Sequence, residues 1–226
     1  MAIAVGSSVA PTPGVSSFAT LKKRVIQYVQ GPNDPELLEM AGDCINEAIE
    51  KLATRTWNWS LIYQDISTAA DTLSYSVSDN YKKPRMAHLL DSSSNENGRL
   101  HFQDEKRFWD VHRDRTSTGS PCFYTVHSRV SSGKLELSTK PSSGWVSLHP
   151  TIRFRYFATV STLTSDGASP AVPPEFEPFL IWYARWSLAA IRGVQVGFVD
   201  RAFATWKELW RDLVADDNNV LTDWEV

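Results

Sequence analysis

The chain has 226 residues and a formal net charge of −3 at neutral pH. Hydrophobic residues make up 42% and nine residues are Trp, enough for a buried core and more ring area than disordered or fibrous chains carry. The mildly acidic balance argues against a protein that grips nucleic acid over its whole surface, and no apolar run reaches the roughly 18 residues of a membrane-spanning helix. That length fits one large domain or two small ones.

Residues 1–17 are small, apolar or Ser/Pro-rich, and the first charge is Lys22. A secretory signal needs a basic start, which this stretch lacks, so the expected compartment is a cytoplasm. Alone, such an arm buries too little to stay ordered. We therefore expect a neighbouring subunit to hold it. A short helix follows, with Leu21, Val25 and Tyr28 on one face, a basic run at Lys22, Lys23 and Arg24, and Gly31 as its stop. Asp34 and Pro35 then mark the cap and first turn of a second helix. Its stripe of Leu37, Ala41, Cys44, Ala48 and Leu52 predicts a helix over 35–56. Trp57 and Trp59, spaced by one residue, suit the start of a strand.

Between residues 60 and 160 the period changes to two. Strands are expected over 61–67, 72–77, 85–90, 99–102, 122–127, 134–138 and 151–158, separated by Ser/Gly/Pro turn clusters. One short helix, about 104–112, interrupts them with Phe108 and Trp109 as anchors. After a loop over 161–174, Phe179, Trp182, Tyr183 and Trp186 fall at helical spacing, with Ile181, Leu188 and Ile191 on the other side. This helix reads as apolar all round and buried, Trp186 included. Gly193 and Gly197 mark a turn, and a last helix is expected from Asp200 to about residue 214, carrying Phe203, Trp206, Trp210 and Leu213.

The layout predicts an α+β fold: a discontinuous helical bundle of N- and C-terminal helices with an inserted antiparallel β region. The expected parts are an extended arm (1–17), a helical domain (18–60 plus 172–215), an inserted β domain (61–171) and a C-terminal tail (216–226).

No catalytic spacing stands out. There is no Gly-rich phosphate loop, nucleophile elbow, zinc-protease helix or calcium loop. The five histidines, His88, His101, His112, His127 and His149, form no metal-ligand pair in sequence. Cys44 and Cys122 read as free, buried thiols. Asp104 and Glu105 suit the first turn of a helix. Arg153 and Arg155 suit the outer face of a half-buried strand. The expectation is a protein without catalytic residues, metal or cofactor.

A series of degenerate motifs in a particular order says more. The second helix ends in Arg55, Trp57 and Trp59, and a strand pair follows. Later come Thr118, Gly119, Pro121 and Tyr124, then the Arg/Tyr-rich strand around Arg153 and Tyr156. Val172, Pro173 and Pro174 open an apolar helix, and Ala202 and Trp206 mark the last one. This order over about residues 18–215 resembles the head-to-tail adaptor (connector) proteins of tailed bacteriophages, especially short-tailed ones. The polar insert 91–98 and the long arm depart from that pattern. The resemblance implies a ring of copies of this chain, twelve-fold, beneath the portal protein. Such a ring joins the portal to a tail nozzle or tube and lines the channel through which genomic DNA leaves without sequence recognition. It implies a virion component at the portal–tail junction, assembled in the host cytoplasm, with no membrane partner and no cofactor.

Heterologous ring interfaces use apolar and aromatic surface. The expected partner contacts are therefore Met1, Ile3 and Val5 in the arm, and Val220, Leu221, Trp224 and Val226 in the acidic tail, with Trp224 as anchor. Alternatives are a nozzle subunit, a nucleic-acid-binding module using Lys22, Lys23, Arg24, Lys82, Lys83, Arg85, Arg153 and Arg155, and a cell-wall hydrolase.

Overall fold

A computed structural model of the chain describes residues 15–29, 34–127 and 133–220, without the side chains of 219 and 220. It is a mixed helix-and-sheet protein of two compact units. One is Ser60–Thr159; among the described residues the other is 15–59 with 160–220. The arm residues 1–14, the expected stop at Gly31 and the tail residues 221–226 lie outside the described residues.

In the helical unit, α1 (Phe18–Ile26) begins at Ser17, whose hydroxyl accepts the Thr20 amide hydrogen. It buries Phe18, Leu21, Val25 and Ile26. α2 (Pro35–Ala53) begins as its sequence predicts: Asp34 accepts the Glu36 N–H at 3.0 Å, and Pro35 costs no hydrogen bond in the first turn. Gly42 lets α1 come close, because a Cβ there would stand 3.1 Å from the Phe18 ring. α5 (Glu177–Ile191) and α6 (Val196–Val220) complete the unit, with α3 (Glu105–Val111) and α4 (Ser143–Leu148) belonging to the other one. The helices α1, α2, α5 and α6 share one core, to which Val160, Leu163 and Val172 also belong.

Several local expectations are corrected here. Trp57 and Trp59 start no strand, since residues Asn58–Ser60 form a 3-10 turn. The Trp57 indole N–H donates to the Leu52 carbonyl at 2.8 Å, which folds the chain back over the end of α2. α5 is not apolar all round. Ile191 is 62% exposed and Trp186 is half-buried, while Leu188 and Ala189 beside them are 0% exposed, so only one side of the helix is covered. α6 is longer than expected at both ends. Gly197 is absorbed into its first turn instead of breaking it, and Asp216 and Asp217 continue it instead of starting a tail.

In the β unit, one seven-stranded sheet runs in the order β1-β9-β3-β4-β6-β7-β2. The strands are β1 (Leu61–Ser67), β2 (Ser74–Ser76), β3 (Tyr81–Leu90), β4 (Glu96–Phe102), β6 (Phe123–His127), β7 (Lys134–Leu137) and β9 (Thr151–Ala158). Two short strands, β5 (Thr118–Gly119) and β8 (Lys140–Pro141), pair separately. β9 alternates without exception: Ile152, Phe154, Tyr156 and Ala158 are buried and the residues between them are not. The sheet is mainly antiparallel, as expected, but two strand pairs of the unit depart from that direction. β4–β6 and β5–β8 are parallel. The crossover from β4 to β6 contains α3 (Glu105–Val111), and a connection of that length is what a parallel pair requires. β3 starts four residues before the expected 85, carrying Pro84 between two register shifts where a ladder bond can be spared. The stretch 141–144, expected as a turn, opens α4 (Ser143–Leu148), capped by Ser142 and anchored by Trp145.

Cys44 and Cys122 are both free thiols. Cys44 is buried on α2, and that burial raises its pKa. Cys122 is exposed, against expectation. It precedes β6; its carbonyl accepts the His101 amide hydrogen and its amide donates to the Ser138 hydroxyl, while its side chain stays exposed. In the native protein one thiol per chain should therefore react promptly with an aromatic disulfide reagent. Denaturation should expose the second. Two fast thiols would mean that α2 does not pack as described.

Candidate assembly surface

The outer face of β1, β9, β3 and β4 carries a row of charged residues. Pairing sets its rows. Leu61 faces Phe157, which faces Lys83; Tyr63 faces Arg155, which faces Met86; Asp65 faces Arg153, then His88, then Arg99. Arg153 donates two hydrogen bonds to Asp65, Nε to Oδ1 and Nη2 to Oδ2, both at 2.9 Å. Its guanidinium also lies over the Tyr63 ring at 4.7 Å, and the Asp65 contact raises its pKa further. Glu96 takes Arg155 at 3.2 Å and His88 at 3.0 Å. The strand arginines are thus largely spent within the sheet. Lys83, Arg85 and Arg99 are exposed on it with no carboxylate partner among the described residues. Arg99 was not singled out from sequence. Only the cross-strand register shows that it joins the row of Arg153.

The other basic run, Lys22 to Arg24, is also mostly engaged. Lys22 pairs with Asp166 and Arg24 with Glu177. Glu177 in addition accepts the Ser16 amide at 2.8 Å and its hydroxyl at 3.0 Å. This carboxylate therefore fixes the root of the arm to the start of α5.

Exposed apolar side chains gather where sequence patterning does not reveal them. At the α5–α6 turn, Ile191, Val196, Phe198 and Phe203 are all at least 36% exposed. Phe198 stands edge-on to Tyr28, and Arg185 covers Tyr28 and Trp182. On the sheet, Leu61 and Tyr63 of the edge strand β1 are 40% and 43% exposed.

A family model described as SU10 adaptor protein matches residues 16–223. The chain belongs to the SU10 adaptor protein family. No curated protein matches it. The SU10 adaptor match makes the protein a phage adaptor-type protein. It begins at Ser16, where the arm is rooted, and runs through both units.

Of the expected partner contacts, Met1, Ile3 and Val5, and Leu221, Trp224 and Val226, lie outside the described residues. Val220 is the last residue of α6, and its side chain lies outside them too. What the structure adds is the anchorage of the tail. Asp217, 9% exposed, accepts the Asn58 amide hydrogen at 2.8 Å, and its own carbonyl accepts the Asn58 side-chain amide at 2.7 Å. Arg55 stands 3.6 Å from the Asp217 carboxylate and donates to Asn218 at 2.6 Å.

The histidines are dispersed as well. His127 contacts Glu105 and stacks on Trp109, while His112 contacts Gln103 and has its pKa lowered by burial. Among the described residues no three His, Cys, Asp or Glu side chains gather at metal-binding distance. None of the described helices is long and apolar enough to cross a membrane.

Proposed function

We propose that this protein is a head-to-tail adaptor of the short-tailed phage type, a structural and non-catalytic part of the virion that needs no cofactor. Its copies form a ring, twelve-fold, beneath the portal protein, connect the portal to the tail nozzle or tube, and line the DNA exit channel. Assembly takes place in the host cytoplasm, without a membrane partner. The carrying observation is the SU10 adaptor match across residues 16–223. The mixed helix-and-sheet fold, in which α1, α2, α5 and α6 share one core, supports this reading. A ring protomer needs two unlike patches that meet around an axis. The exposed α5–α6 turn and the edge of β1 offer unlike surfaces for such contacts. Native mass measurement with and without portal protein tests the reading. A ring of defined number on the portal is expected; a monomer that never associates with portal or tail protein overturns it.

A second reading, a nucleic-acid-binding module, is favoured by Lys83, Arg85 and Arg99 alone. Binding through three cations would lose affinity with a log–log salt slope no steeper than about −3. The adaptor should therefore elute from heparin at low salt. A slope beyond about −6 would favour the nucleic-acid module.

A further inference from the structure

β1 is an edge strand. Among the described residues its one sheet neighbour is β9, paired over seven residues from Leu61 to Ser67. Among the described residues no backbone hydrogen bond reaches its other side. Edge strands are usually blunted by proline, an outward lysine, a bulge or a cover. β1 has no proline or lysine, and its ladder with β9 runs without a register shift. Its one charge, Asp65, is held by Arg153 across the ladder. Leu61 and Tyr63 stand exposed on the outer face. A long, regular edge with apolar neighbours is a template for an added strand.

The arm has the matching pattern. Met1, Ile3 and Val5 alternate with Ala2, Ala4 and Gly6, a period of two with no charge and no proline. Residues 7–14 differ, with Pro11, Pro13 and Gly14 among them. Prolines suit an extended tether and cannot serve a ladder. The arm leaves the described structure at Val15, next to Ser16 on Glu177. At about 3.1 Å per residue, the eight tether residues span roughly 25 Å. The six residues beyond add a strand of roughly 20 Å, close to the length of β1.

We propose that residues 1–6 of one copy add to the free edge of β1 in the adjacent copy of the ring, with Ile3 and Val5 packed beside Leu61 and Tyr63. The inference rests on the ring reading above. Each protomer gives one strand and receives one, which is the unlike, self-closing contact that a cyclic assembly requires. Backbone bonds hold the strand, and the alternating side chains set which face it presents.

The full chain carrying Ile3→Cys and Tyr63→Cys in a Cys122→Ser background tests this after mild oxidation of the assembled protein. A ladder of disulfide-linked multimers on a denaturing, non-reducing gel is the expected result. Ile3→Cys with Leu148→Cys, on exposed α4 of the same unit, should give none. Hydrogen exchange gives a readout that does not depend on register. The β1 amides that face away from β9 should be protected in the assembled full chain and exchange at least about tenfold faster when residues 2–6 are deleted. An intrachain disulfide alone, no cross-link, or unchanged exchange on deletion each overturns the proposal. Native mass of the unmodified chain separates the two claims. A ring without the cross-link leaves the adaptor reading standing and removes only the strand addition.

Discussion

Replacing Trp57 by Ala should cost about 3–5 kcal/mol of unfolding free energy, the range of a large ring removed from a core. Trp57 is 1% exposed and touches three segments far apart in sequence. Its indole N–H closes the end of α2 on the Leu52 carbonyl. Its ring meets Phe176 edge-on at 5.0 Å and Trp210 edge-on at 5.4 Å, so it joins α2 to the start of α5 and to the middle of α6. Truncation leaves a cavity among aromatic rings and removes one donor to the Leu52 carbonyl, which keeps the Arg55 amide at 3.2 Å. Trp57→Phe should recover part of the loss, since a ring is kept and only the donor goes. Trp186 makes the contrast. It is half-buried and lies against Tyr183, Phe203 and Trp206 on the outer side of the helix pair. Trp186→Ala should cost only about 1–2 kcal/mol by the area it loses. Denaturant midpoints at constant m-value decide between the two sites. If Trp57→Ala stays within about 1 kcal/mol of the parent, the three-way junction described here does not form.

The difference between those two residues shows what patterning can and cannot convey. Helical spacing placed Trp186 correctly on a stripe with Phe179 and Tyr183. How far the stripe is covered depends on where the next helix crosses, and spacing holds no information about that. Trp57 has no periodic partners because it acts at a chain reversal. Its burial comes from rings distant in sequence, Phe176 and Trp210, while one hydrogen bond to the preceding helix end orients it. The cap at Asp34 was legible because its cause is local: an acceptor, a proline and an apolar run within four residues. The alternation of β9 was legible for the same reason. The parallel β4–β6 pair was not, since strand direction is decided by a crossover of some twenty residues. The assembly surface divides in the same way. Arg153 and Arg155 could be assigned to an outer strand face by period alone. That Asp65 and Glu96 neutralise them, and that Arg99 stands exposed in the same row, follows only from register. Ile191 and Phe203, exposed beside the α5–α6 turn, read as parts of apolar helix faces, because spacing does not tell a covered face from an uncovered one.

The C-terminal segment divides at Val220, and deletions on either side of that point should have opposite consequences. Removing 221–226 takes away Leu221, Trp224 and Val226 and leaves α6 with its clamp intact. That variant should melt like the full chain and fail to dock on the portal, because an aromatic anchor at a desolvated contact carries much of the binding. Removing 215–226 also takes Asp217 and Asn218. The Asn58 amide then loses its acceptor, and Arg55 loses Asp217 and Asn218. Loss of fold would confound any docking measurement on that longer deletion. Asp217→Ala isolates the clamp. It should cost about 2–3 kcal/mol, the scale for removing a buried, charge-assisted acceptor and leaving its donors unpaired. Asp217→Asn keeps an oxygen for the Asn58 amide and should cost less. Thermal melts and native mass with portal protein give the two readouts separately. Normal docking without 221–226 would show that the tail is passive. A parent-like melt for Asp217→Ala would show that the end of α6 is held by its apolar face, through Leu213 and Val214, and not by the carboxylate.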